Sequence, residues 1–201
     1  MVHLLTAMAD KRVYFSFHYQ DVADFRANVV RKHKVVGWES KSAGYLDASI
    51  WEEAKTKGDL ALKRLINSEL DYTSVTVVLI GSDTYDRRWV RYEIIKSLER
   101  GNDLIAIHIN SINDKFGNPK PDGPNPFDYL ALAISDDGMR ASPMEHRSGK
   151  WIDYADLGGW KIGAAMSAEQ RGKAFQLTQW YRTYDWVAND GYKNFASWIG
   201  A

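Results

Sequence analysis

An almost unbroken aliphatic run followed at once by a segment of helical period constrains this chain more than any other feature. The run is Ser74-Val75-Thr76-Val77-Val78-Leu79-Ile80, and Gly81-Ser82-Asp83 ends it. Such a run reads as a strand covered on both faces, the middle of a parallel sheet. The segment from Thr84 to Leu98 follows, with Val90, Ile94 and Leu98 marking a core face at every fourth residue. Asp83 or Asp86 is expected to cap its start and Gly101 to stop it. Trp89 and Glu93 stand one turn apart on a neighbouring face. In an open α/β sheet the helix start lies over the carboxyl ends of the strands, where ligands bind. That layout puts an aromatic ring and a carboxylate in one crevice. By spacing alone, Glu93 reads rather as an ordinary solvated helix acid beside Lys96 or Ser97.

The flanking segments extend an α/β pattern. Val13-Tyr14-Phe15-Ser16-Phe17 is a short apolar run and reads as the first strand, with Ser16-Phe17-His18 at its carboxyl end. A helix is expected from Asp21 to Lys34, with Val22, Phe25, Val29 and Val30 inward and Arg26, Arg31 and Lys32 outward. Residues 35–48 are polar and Gly-containing, with at most a short strand at Tyr45-Leu46; Trp38, Tyr45 and Asp47 are ligand candidates on this loop. Ser49-Ile50-Trp51-Glu52 has capping-box form and opens a helix to Lys57. Asp59 is expected to cap a second helix through Leu70, with Leu62, Leu65, Ile66 and Leu70 as its core stripe and Lys63 and Arg64 solvated. Asp103 to Asn110 is another apolar strand. Its His108 has no second ligand at metal spacing, so it reads as structural. The order predicts a parallel sheet with right-handed crossovers.

Beyond it, residues 113–126 are a Pro/Gly loop, expected to shape access to the crevice without joining its chemistry. Turn signals at Asp136-Asp137-Gly138 and Ser148-Gly149-Lys150 suggest a small β-appendage from Tyr129 to about Tyr154. His146 and Arg147 on it are expected at the surface. Ser167-Ala168-Glu169-Gln170 again has capping-box form. The aromatic-dense segment Phe175 to Val187 reads as a helix, and so does Tyr192 to Ile199, with Phe195, Trp198 and Ile199 inward.

Composition excludes some functions. The chain has 201 residues, 26 basic and 26 acidic, which gives no electrostatic case for nucleic acid or an anionic membrane as partner. It has no cysteine, hence no thiolate chemistry. No apolar run reaches transmembrane length, and the N-terminus lacks a basic leader, so a cytoplasmic protein is expected. No Gly-x-Gly-x-x-Gly follows a strand, and no acidic cluster closes the first one. A dinucleotide oxidoreductase and a phosphoacceptor receiver are therefore disfavoured. Arg87, Arg88 and Arg91 are either pyrophosphate contacts or a solvated helix face.

Strand, Gly-Ser, Tyr and Arg88-Trp89-Val90-Arg91-Tyr92-Glu93-Ile94 in this order resemble the third strand and following helix of TIR (Toll/interleukin-1 receptor) domains. Arg12 to Asp21, Leu62 to Asn67, Gly123 to Leu130 and Tyr184 to Val187 strengthen a likeness to the TIR-like proteins of the Thoeris anti-phage system, from about Met8 to the C-terminus. The resemblance implies a flavodoxin-like three-layer α/β fold with a central, mostly parallel sheet and a small C-terminal β/α appendage. It implies a tail over 1–10 and one TIR-like domain over 11–201, with a core to about 130. It implies Glu93 as the catalytic carboxylate, with Ser16, Phe17, Asp47 and Trp89 contacting substrate. NAD is then a substrate, with no cofactor or metal required.

One carboxylate suffices for such chemistry. Nicotinamide leaves a pyridinium as a neutral base, so no general acid is needed, unlike the two-carboxylate glycosidases. The carboxylate would hold ribose hydroxyls and stabilise an oxocarbenium-like cation. Water attack gives ADP-ribose, and attack by a hydroxyl of the same molecule gives a cyclic isomer. The resemblance implies cyclisation, a diffusible signal to an effector protein, and a possible homo-oligomer. A non-catalytic TIR assembly module shares the same motifs and stands as the alternative.

Overall fold

The computed structural model describes residues 12–18, 25–33 and 48–200. The expected N-terminal tail, the start of the first helix and the loop with Trp38, Tyr45 and Asp47 lie outside them. Strand β1 (Val13–Ser16), β2 (Val75–Ile80), β3 (Asp103–His108) and β9 (Thr183–Asp185) form a four-stranded sheet in the order β1-β2-β3-β9, every pairing parallel. β2 is buried at every position, as a strand covered on both faces must be.

The two-residue alternation of each strand sorts the side chains into two layers. Val13, Phe15, Val75, Val77, Ile105 and Ile107 face one layer with helix α1 (Arg26–Arg31) and α5 (Gly191–Trp198). Tyr14, Val78, Ile80, Leu104 and Ala106 face the other, with α3 (Asp59–Leu70) and α4 (Arg88–Arg100). Helix α2 (Ala48–Thr56) joins that second layer through Trp51. Among the described residues no helix is long and apolar enough to cross a membrane.

A second, antiparallel sheet lies beyond α4. Its strands β4 (Leu130–Ile134), β5 (Arg140–Arg147), β6 (Lys150–Asp153) and β8 (Ala174–Gln176) run in the order β6-β5-β4-β8, and β7 (Trp160–Lys161) pairs with β5. The β5–β6 turn has Ser148 at φ 50° and Gly149 at φ 77°, the left-handed pair a two-residue hairpin requires. Leu130, Leu132, Ile134, Ala141 and Leu177 of this unit join the cluster that also holds Ile66, Val90 and Ile94. Helix α4 is thus covered from two sides, and Val90, Arg91, Tyr92, Glu93, Ile94, Ile95, Ser97 and Leu98 are all buried.

Several expectations need correction. Arg26, expected outward, is 1% exposed, while Phe25 is 57% and Val29 41% exposed. The Arg26 guanidinium donates through Nε to the Ile112 carbonyl and through Nη2 to the Asn118 carbonyl, at 2.8 Å each, which supports it inside the fold. Helix α2 already begins at Ala48, so Ser49 lies within it and is no cap. Asp59 is the first residue of α3 behind Gly58 and pairs with Arg88 at 2.7 Å. Helix α4 starts at Arg88 after a separate 3-10 turn over Thr84–Asp86, so neither Asp83 nor Asp86 caps it. Gly101 closes it in the left-handed conformation as expected. No helix spans 175–187: the segment forms β8, a 3-10 turn and β9. Ser167 to Gln170 likewise forms turns. The pairing of β9 with Ala106, Ile107 and His108 of β3 outweighs local helical period there.

Candidate active site

Glu93 sits in the second turn of α4, on the side facing β1, and is 6% exposed. Its Oε1 accepts from the Tyr14 hydroxyl at 2.8 Å and its Oε2 from the Ser16 hydroxyl at 2.5 Å. Tyr14 and Ser16 are two residues apart, hence on one face of β1. Among the described residues no cation meets this carboxyl: Lys96 pairs with Glu99, and the Ser97 hydroxyl donates instead to the Glu93 main-chain carbonyl at 2.7 Å. The solvated helix-acid reading therefore fails. Behind it, Thr76 donates to Ser97 at 2.8 Å and Asn102 to Thr73 at 2.9 Å, a neutral network that anchors α4 to β2.

Burial dominates the electrostatics. It pushes the Glu93 carboxyl up to about 7, against the opposing pull of the Ser16 and Tyr14 hydrogen bonds. Burial, and then the negative charge of Glu93, hold the Tyr14 hydroxyl well above its usual range. Beyond the end of β1, burial lowers the His18 imidazole, helped by Arg87 and opposed by Asp83.

The expected site residues divide. Ser16 touches Glu93 directly. Trp89 is one turn earlier on the same helix and half-buried in an aromatic wedge. Its ring meets Trp51 at 6.3 Å and Tyr92 at 6.0 Å, and the Arg88 guanidinium covers it at 4.8 Å. Phe17 follows Ser16 but packs with the opposite layer, under the Arg31 guanidinium at 5.2 Å. Strand alternation separates it from Glu93. Asp47 lies outside the described residues. Tyr14, which sequence reasoning read only as part of the first strand, is the Glu93 partner it did not single out. The signal was available, because a residue two before Ser16 shares its face.

Arg87, Arg88 and Arg91, at the helix start, are engaged with carboxylates. Arg88 binds Asp156 through two bonds of 2.8 Å, and Arg87 pairs with Asp83 at 3.2 Å. Arg91 is 3% exposed and meets Glu145 at 2.6 Å. Neither the pyrophosphate nor the solvated-face reading describes Arg91. Lys63, expected in solvent, pairs with Asp156 at 3.0 Å. The Arg88 and Lys63 contacts outweigh desolvation and hold Asp156 at about 2.

The Pro/Gly loop is pressed onto the carboxyl end of β2. A Cβ at Gly123 would stand 2.0 Å from the Gly81 carbonyl oxygen, and Asn110 donates to Ser82 at 3.1 Å and to the Pro121 carbonyl at 2.7 Å. Among the described residues no group of three or more His, Asp or Glu side chains is placed to hold a metal ion. His146 meets Trp151 edge-on at 5.3 Å, and Arg147 meets Glu145 at 3.3 Å.

Comparison with known proteins adds two findings. Residues 14–114 match the family described as Thoeris protein ThsB, TIR-like domain. A Bacillus cereus protein named as a cyclic ADP-D-ribose synthase, ThsB1, is 56% identical over 189 residues, covering 94% of this chain and 98% of its own length.

Proposed function

The chain belongs to the Thoeris ThsB family of TIR-like domains, and from that premise we propose that it cleaves nicotinamide from NAD and cyclises the remaining ADP-ribose. The observation that carries this reading is a buried carboxyl at the carboxyl edge of a parallel sheet, held by two hydroxyls and, among the described residues, by no cation. A structural acid in that position would be paired with a base. An uncompensated one attracts a developing positive charge.

The reaction needs little else. The bond from ribose C1′ to the pyridinium nitrogen breaks, and its electron pair leaves with nicotinamide. The Glu93 carboxylate stabilises the oxocarbenium-like cation, where a low-dielectric setting strengthens the attraction. A hydroxyl of the same molecule then bonds to C1′ and loses its proton. A carboxyl titrating near 7 is suited to accept it. Cyclisation requires a folded NAD and exclusion of water, since water would divert the cation to linear ADP-ribose. Ser16 orients the carboxylate, Trp89 supplies an aromatic wall, and Asp47 completes the substrate contacts. Residues 11–201 act as one unit, because the second sheet shares its core with α4.

The relative's printed name supports the cyclic product. In this reading the protein is cytoplasmic, and its product diffuses to a separate effector in anti-phage defence. Homo-oligomerisation fits the same reading. The test is nicotinamide release, with mass spectrometry of the nucleotide product, in lysates of phage-infected cells expressing wild type or Glu93→Gln. Wild type should release nicotinamide with a cyclic ADP-ribose isomer, and the variant should lose on the order of a hundredfold or more. A folded Gln variant with undiminished release would remove Glu93 from the mechanism.

A further inference from the structure

We infer that Tyr14 is a positioning residue: its hydroxyl, acting with Ser16, fixes the plane of the Glu93 carboxylate and keeps the charged form available for the reaction. This rests on the NAD-cleaving role proposed for Glu93.

Three observations carry it. First, the hold has two points. Tyr14 takes Oε1 and Ser16 takes Oε2, from a long and a short side chain on one strand face, so rotation of the carboxylate is arrested. Second, the hold is enclosed. Ser16, Tyr14 and Glu93 are 0%, 2% and 6% exposed, so both hydrogen bonds are shielded from solvent. Third, Tyr14 otherwise belongs to an apolar cluster with Val78, Ile80 and Ile94. A phenylalanine would satisfy that packing without a polar atom needing a partner, so the hydroxyl's one observed contact is with Glu93.

The surrounding charges leave this pair in control. Strand β1 supplies Tyr14 and Ser16, and β2 faces α4 with the neutral Thr76. Helix α3 supplies Glu69, whose charge acts on the Tyr14 hydroxyl. On α4 itself Lys96 is engaged by Glu99 and Arg91 by Glu145 of the second sheet, while His18, Arg87 and Asp83 gather beyond the strand end. Because the Tyr14 proton is held so firmly, the hydroxyl acts as a fixed donor and exchanges no proton in turnover.

Tyr14→Phe tests the inference by removing one oxygen. The Glu93 carboxyl is followed by carbon-13 NMR in protein labelled at the glutamate carboxyl carbons, its signal identified by its absence in Glu93→Gln. Wild type should titrate near pH 7. In Tyr14→Phe the midpoint should rise by about one unit, because a donor to the charged form is lost. With NAD, kcat at pH 7 should fall about fivefold with KM little changed, and the acid limb of the rate profile should move with the titration. An unmoved titration in a variant that melts like wild type overturns the inference, as does an unchanged rate profile. The two readings fail separately. Undiminished turnover by Glu93→Gln defeats the catalytic role, whereas an inactive Glu93→Gln beside an unperturbed Tyr14→Phe defeats only the role of Tyr14.

Discussion

Glu93 and Glu145 are both buried carboxyls, 6% and 4% exposed, and both contact or belong to helix α4. Their surroundings differ. Glu145 meets the Arg91 guanidinium at 2.6 Å and Arg147 at 3.3 Å, which compensates its charge and ties the second sheet to the helix. The Glu93 carboxyl, two residues along from Arg91, meets only hydroxyls among the described residues. The fold had a cation within reach of this helix and turned it the other way. Burial with a cation makes a strut, and burial without one leaves a charge whose partner must come from outside.

That contrast can be broken or sharpened by experiments ranked in free energy. The largest effect is expected from Glu145→Ala. It leaves Arg91 buried with only the Tyr85 carbonyl at 3.0 Å and the exposed Asp86 at 3.4 Å. Losing one member of such a pair costs about 3–5 kcal/mol. The thermal midpoint should drop by roughly 10 °C, while turnover of the folded fraction stays within a few-fold of wild type. Loss of turnover well below the melt would erase the distinction between the two acids.

The next effect is a pH-dependent stability difference. Glu93 is raised from its ordinary 4.5 to about 7. The native state therefore holds this proton more tightly than the unfolded chain. The stability it brings is complete below about pH 4.5 and is lost as pH rises through about 7. The loss amounts to about 3 kcal/mol. The Glu93→Gln variant should match wild type at pH 4 and gain on it steadily to pH 8, as read by urea melts. A difference independent of pH would show that Glu93 is compensated after all. The hundredfold loss of turnover proposed for the same variant corresponds to about 2.7 kcal/mol and ranks close behind.

The smallest effect belongs to Arg87→Ala. Its pair with Asp83 is exposed at 44% and 64%, so its removal should change stability by less than about 1 kcal/mol. A larger shift in the melt would mean that exposed pairs on this helix do the structural work assigned here to Arg91 and Glu145.

Much of the scaffold was legible because its signals are local. The β-branched run of β2, the 3.6-residue stripe of Val90, Ile94 and Leu98, and the stop at Gly101 need no distant partner to be recognised. The same holds for the Ser148-Gly149 hairpin. The order of these elements, with Trp89 and Glu93 near a helix start, was enough to place a candidate carboxylate at the right edge of the sheet. Beyond that point local pattern fails. Aromatic density at 175–187 resembles a helix, and only the exposed edge of β3 turns Thr183–Asp185 into a strand. Arg26 carries the charge of a surface residue, yet carbonyls of Ile112 and Asn118, 86 and 92 residues away, bury it. The same applies to the site. The chain by itself determined that an acid follows a buried strand by one turn of helix. Tertiary structure decided that this acid is enclosed, that Tyr14 and Ser16 hold it, and that Arg91 faces away. Burial and charge compensation depend on which groups meet across the fold, and those meetings are set by packing over long separations rather than by neighbours in sequence.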